Sequence, residues 1–185
     1  MAWLVLTYRL PASSALKGAI RRKLTGIGAV YLANAVAALP ASPAAERAMR
    51  RARNTIAEAG GSAELLRAEA VEGGPDLIAA FNAVREREYG EIIAGCDDFA
   101  ARIEAITAVG RFGYRDLGDK DAELKRLSVR TATIEAHDVL GAGNAGAARS
   151  ALSRCRSALD EFARRVYETD DVSPAGAGNG GARDR

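Results

Sequence analysis

The sequence predicts an α+β chain in two parts: a small β-α-β-β-α-β module, then three amphipathic helices. Three observations carry this. Residues 3–10, WLVLTYRL, are strand formers closed by Pro11, and they are apolar on both alternations, which suits a central strand covered on both faces. Helical and strand periodicities then alternate, with Gly and Pro punctuation, up to residue 74. Beyond that point apolar residues recur at heptad spacing in successive stretches joined by short turns.

Ser13 or Ser14 can cap the first helix, in which Leu16, Ile20 and Leu24 form an apolar stripe and Gly26 and Gly28 end the helix. Two short strands are expected at 29–33 and 35–39 with Asn34 at the turn. Ser42 caps a second helix that opens on Pro43, a favoured first position. This helix turns Ala45, Met49, Ala52 and Ile56 inward, and Gly60 and Gly61 stop it. A fourth strand is expected at 63–71. This order is the ferredoxin-like split βαββαβ arrangement.

A long helix is expected from Asp76 to Val109, with Ile92, Cys96, Phe99, Ile103 and Ile106 on one seam. Gly90 and Gly95 weaken its middle. A loop over 110–119 leads to a helix over 119–140 that turns Leu124, Leu127, Thr131 and Ile134 inward. The Gly-rich 141–146 stretch is a turn. The last helix, to about Tyr167, carries Ala148, Leu152, Cys155, Leu159, Phe162 and Val166. The expected domains are therefore 1–74, an α+β ferredoxin-like module; 75–168, a three-helix antiparallel bundle packed on it; and 169–185, a disordered Gly/Ala-rich tail.

Charge is uneven. Residues 1–57 hold nine basic residues and one acid, Glu46, which makes +8; the remainder holds 17 basic and 23 acidic residues, which makes −6. Such a front end faces an anion: DNA, a small oxyanion, or the acidic half of a second copy in a homodimer. No apolar run approaches a bilayer span, and Tyr8, Arg9 and Pro11 interrupt the apolar start, which lacks the basic opening of a signal peptide. Two cysteines in no metal-ligand spacing fit a reducing, cytoplasmic setting. No membrane partner is expected.

Reactive centres are scarce. There is no P-loop, and GAGNAG at 141–146 lies between helices rather than after a strand. A single histidine, His137, excludes triads and multi-histidine metal sites, leaving haem ligation as its one metal role. No cofactor is named by the sequence. The reading leans away from an enzyme.

Three groups of side chains stand out. Arg85, Glu88 and Tyr89 share a face of the long helix, where an Arg–Glu–Tyr cluster can hold an anion or lock two elements together. Arg9 closes the first strand near the Arg21–Arg22–Lys23 cluster, and guanidinium groups suit oxyanions through paired hydrogen bonds. With Trp3, the residues Arg9, Arg85, Glu88 and Tyr89 make one candidate anion- or ligand-binding set. Lys17, Arg21, Arg22, Lys23, Arg47, Arg50 and Arg51 make a candidate nucleic-acid-binding set on the two module helices.

The stretches WLVLTYRLP and IRRKLTGIGAVYLANAVAALP, FNAVREREYGEI at 81–92, GRFGYRDL at 110–117, ELKRL from 123 and AHDVLGAG to 143 come in order across residues 3–165. Together they resemble the N-terminal domain of ChrB, the chromate-resistance regulatory protein family. The resemblance implies a cytoplasmic protein of the chromate response with a regulatory role, read here as the first domain standing alone. Local departures are Asn34, Ala35 and Ala37, where the family favours an aspartate–glycine turn and a tryptophan. His137–Leu140 replaces a phenylalanine-rich stretch. Two functions stay open: a regulator that senses an oxyanion and binds DNA through its basic front, and a small-ligand- or cofactor-binding protein or enzyme with its ligand between sheet and helical lid.

Overall fold

The computed structural model describes residues 1–11, 14–110 and 112–171. Along them run β1 (Ala2–Arg9), α1 (Ser14–Thr25), β2 (Val30–Ala33), β3 (Val36–Pro40), α2 (Pro43–Glu58), β4 (Ser62–Glu69), α3 (Gly74–Val109), α4 (Tyr114–His137) and α5 (Ala145–Asp171). The protein is thus mixed α+β, with a four-strand antiparallel sheet and five helices. By contact it divides into two compact units: Met1–Gly90 with Thr131–Gly146, and Glu91–Arg130 with the chain from Ala147 onward.

In the first unit the strands stand in the order β2-β3-β1-β4. β1 pairs antiparallel with β3 on one side and β4 on the other, so its apolar character on both alternations follows from a central position. Register then sorts side chains by face, because paired residues in adjacent strands point the same way. Leu4 opposes Arg67 and Leu39, Leu6 opposes Leu65 and Ala37, and Tyr31 opposes Ala37. Leu4, Leu6, Tyr8 and Tyr31 therefore share the face that meets α1 and α2. Ile20 and Leu24 of α1 and Met49, Ala52 and Ile56 of α2 complete that core. On the opposite face Trp3 meets Phe81 of α3 edge-on, with ring centroids 5.9 Å apart.

Local signals explain the boundaries. The Ser42 hydroxyl accepts the Ala45 N–H at 3.1 Å, and Pro43 opens α2. The β2–β3 turn is Asn34–Ala35, and Ala35 adopts a left-handed φ of 60°, a strain of about 1 kcal/mol for a residue with a Cβ. β4 starts and stops slightly earlier than expected, at Ser62 and Glu69. The expected capping by Ser13 or Ser14 lies outside the described residues and side chains.

In the second unit the expected seam residues Ile92, Cys96, Phe99 and Ile103 on α3, and Ala148, Leu152, Cys155, Leu159, Phe162 and Val166 on α5, are buried, while Ile106 is partly exposed. The Cys155 thiol reaches the Cys96 carbonyl at 3.4 Å. Phe112 and Phe162 lie 5.3 Å apart, and Tyr114 and Tyr167 5.7 Å apart. Lys120 is buried, bonded to Glu123 at 2.9 Å with its ammonium 5.8 Å over the Phe99 ring. Glu123 also pairs with Arg102.

Two expectations are corrected here. The segment expected as a loop to residue 119 is helical from Tyr114. The Asp116 carboxylate accepts the Gly113 N–H at 3.0 Å and the Gly113 carbonyl accepts from Leu117. A first-turn acid reaching back in this way starts a helix, and Gly118 is tolerated inside it. The same helix ends at His137 rather than Leu140, because the Asp138 carboxylate accepts the N–H groups of Gly141 and Ala142 at 3.0 and 2.9 Å and turns the chain. α5 continues to Asp171; the rest of the expected tail, 172–185, lies outside the described residues.

Candidate functional site

The register that sets Tyr8 and Tyr31 on one sheet face also builds the candidate site. At the end of β1 the sheet, α1 and the β2–β3 turn border a half-open cavity of about 480 Å³. Tyr8, Arg9 and Leu10 line it from β1 and its exit; Lys17, Gly18 and Arg21 line it from α1; Tyr31, Asn34 and Ala35 line it from β2 and the turn. Lys17 and Arg21 are one helical turn apart, hence neighbours on the α1 surface.

Among the described residues, three cations and no carboxylate line this cavity. The Arg21 guanidinium lies 4.8 Å over the Tyr31 ring, a stacking geometry that arginine favours. The Tyr8 and Tyr31 hydroxyls are 2.8 Å apart. Burial first, and then the bond to Tyr8, push the Tyr31 hydroxyl well above the ordinary tyrosine range, against a smaller opposing pull from Arg21. The Tyr31 phenol therefore keeps its proton, and a phenol hydroxyl can donate as well as accept. The arrangement can bind and orient an anion; guanidinium and ammonium groups do this by charge-assisted hydrogen bonds.

Of the candidate ligand set, Arg9 alone lines this cavity. Trp3 stands six residues upstream on the same strand, about 20 Å away at the rise of an extended chain. Arg85, Glu88 and Tyr89 lie elsewhere in the same unit. Arg85 is 1% exposed, its Nε 3.2 Å from Glu88 Oε2 and its guanidinium 5.4 Å from the Phe81 ring centroid. The Tyr89 hydroxyl donates to Asp138 at 3.1 Å, and Glu86 meets the Gly143 N–H and the Asn144 amide. These bonds tie α3 to the 138–144 segment. His137 packs against Gly28, where an added Cβ would fall 2.7 Å from its Cγ. Burial, and then the charge of Arg85, hold its imidazole below the ordinary range.

The candidate nucleic-acid set divides as well. All seven side chains are exposed. Lys17 and Arg21 line the cavity. Lys23 donates to Thr55 of α2 at 2.6 Å, and Arg51 precedes Thr55 by one turn, so Lys23, Arg47 and Arg51 flank the α1–α2 seam. Arg50 points to the β4 side, where Glu46 holds both it and Arg67, at 2.7 and 2.8 Å. Sequence reasoning missed Tyr8, Tyr31, Gly18 and Asn34 as site residues. The period-two pattern of β1 together with the hairpin register was the signal that could have placed the two tyrosines side by side.

Comparison with known proteins supplies a family. The model of the N-terminal domain of protein ChrB matches residues 17–172, most of the chain, from within α1 through every later element. The chain belongs to the ChrB N-terminal family. No curated protein matches it. ChrB membership points to a chromate-resistance-associated regulatory protein. Among the described residues no helix is long and apolar enough to cross a membrane, and no group of three or more His, Cys, Asp or Glu could hold a metal ion.

Proposed function

We propose that this ChrB-family chain is a cytoplasmic regulator that takes an oxyanion into the Arg9–Lys17–Arg21 cavity and contacts DNA through the exposed cations of α1 and α2. The observation that carries the reading is the cavity itself: among the described residues, three cations and two tyrosine hydroxyls converge there without a carboxylate. Placing Lys17 and Arg21 on the helix that also bears Arg22 and Lys23 would couple the two activities, because an anion held in the cavity neutralises part of the charge a phosphate backbone would meet.

Several finer readings belong to the same proposal. The strand order β2-β3-β1-β4 supports a ferredoxin-like module over 1–74. The buried seams of α3 and α5 support an antiparallel three-helix bundle over 75–168. The basic front and acidic remainder favour a homodimer.

Duplex DNA binding at two salt concentrations, with and without chromate, tests the proposal. The expected result is binding that weakens steeply with salt, with a log–log slope of roughly −0.9 per phosphate contact. Arg51→Ala should reduce that slope, and chromate should release DNA from the wild type but less from Arg21→Ala. Salt-independent binding, or no binding, would remove DNA from the account.

A further inference from the structure

The cavity is larger than the anion that the proposal requires. A tetrahedral oxyanion needs the room of only a few waters, each with a share of about 30 Å³. At about 480 Å³, the cavity falls in the range of roughly 300–1,000 Å³ typical of sites for organic ligands. Its sides are also built for more than charge. Leu10 and the Tyr8 and Tyr31 rings supply apolar surface, and the Arg21 guanidinium over Tyr31 extends that surface as a flat plane.

Gly18 adds an independent observation. It lies within α1, where glycine is less favourable than alanine. Among the described residues packing does not demand it: an added Cβ would meet the flexible end of Arg22, at 3.4 Å. Gly18 lines the cavity between Lys17 and Arg21. Its missing side chain keeps the helix backbone open to whatever lies between the two cations, a role glycine takes where a ligand comes close.

We infer that the ligand of this cavity is an organic phosphate with an aromatic body, its phosphate between Lys17, Arg21 and Arg9 and its ring against Tyr31 and Leu10. The inference rests on the anion-binding reading above and narrows its ligand class.

Calorimetric titration of the full chain with phenyl phosphate, inorganic phosphate and phenol separates the two. Phenyl phosphate should bind about tenfold or more tightly than inorganic phosphate, since burying even two methylene equivalents supplies that factor. Phenol should bind far more weakly than either. Gly18→Ala, which favours the helix, should weaken both phosphates several-fold because it fills space beside the phosphate; Leu10→Ala should weaken phenyl phosphate and leave inorganic phosphate unchanged; Arg21→Ala should weaken both. Equal affinity for phenyl phosphate and inorganic phosphate, or no effect of Leu10→Ala on phenyl phosphate, would overturn the organic ligand while sparing the anion site. Failure of both phosphates to bind would overturn the two readings together.

Discussion

The hydroxyls of Tyr8 and Tyr31, 23 residues apart in sequence, meet at 2.8 Å on the helix-covered face of the sheet. Their bond fixes the wall of the cavity on which Arg21 stacks. Tyr8→Phe should cost about 0.5–1.5 kcal/mol in denaturant unfolding, the usual net value of one hydrogen bond. Because the Tyr31 hydroxyl ionises well above its unfolded value, the folded form keeps its proton where the unfolded chain loses it. Stability from this group is complete below about pH 10, the unfolded tyrosine value, and falls as pH rises beyond it. In an ultraviolet titration of the folded protein, Tyr31 should ionise only well above the ordinary tyrosine range.

Glu46 sets how much of the α2 charge is available. It accepts from Arg50 and from Arg67, and these bonds, Arg50 first, hold its carboxyl below the usual carboxylate range. Glu46→Gln should release two guanidiniums, tighten polyanion binding and steepen its salt dependence. Unchanged affinity for duplex DNA or heparin in this variant would place the binding surface away from the β4 side of α2.

The two glycines of α3 should behave oppositely. Nothing lies within 4 Å of a Cβ added at Gly90, whereas one at Gly95 would sit 3.0 Å from the Leu127 side chain. Gly90→Ala should stabilise by about 0.5–1 kcal/mol through helix propensity. Gly95→Val should destabilise by about 1–3 kcal/mol through overpacking. Thermal melts of the two variants check the sign of each.

His137 gives the folded state a pH dependence. Its imidazole titrates below the ordinary value because of burial and the Arg85 charge. The unfolded chain therefore takes up a proton first as pH drops. Stability from this group is present above about pH 6.5 and declines as pH falls below it toward the depressed folded value. His137→Gln should flatten the corresponding part of the stability–pH curve, measured by urea midpoints between pH 7.5 and 5.5.

Cys96 and Cys155 should behave as inert core thiols. Both are buried and free, and burial first, then the bond to Cys96, push the Cys155 thiol up to about 12. A thiol reagent at pH 8 should modify neither in the folded protein and both after unfolding.

What the sequence made legible follows the physics of periodicity. β1 declared itself through its two apolar faces, and α2 through Ser42, Pro43 and its four-residue stripe. The seams of α3 and α5 were visible as heptads because each buried row repeats along one helix. The start of α4 was hidden because its decisive contact, Asp116 reaching back to Gly113, overrides the loop signal of Gly118. The candidate site was half legible. Arg9 and the α1 cations were singled out as charge, but the tyrosines and Gly18 act through register and through the absence of a side chain. Arg9 stands apart from Trp3 because the length of β1 separates them, whereas Trp3 and Arg85 both meet Phe81.

The central claim is that Arg9, Lys17 and Arg21 together hold an anion, and calorimetric titration with sulfate, a non-oxidising analogue of chromate, tests it most directly. The account predicts saturable one-to-one binding that weakens with added salt and drops by about tenfold or more in Arg21→Ala or Lys17→Ala, the loss expected for one charge-assisted hydrogen bond. Absence of saturable binding, or binding untouched by both substitutions, would contradict it.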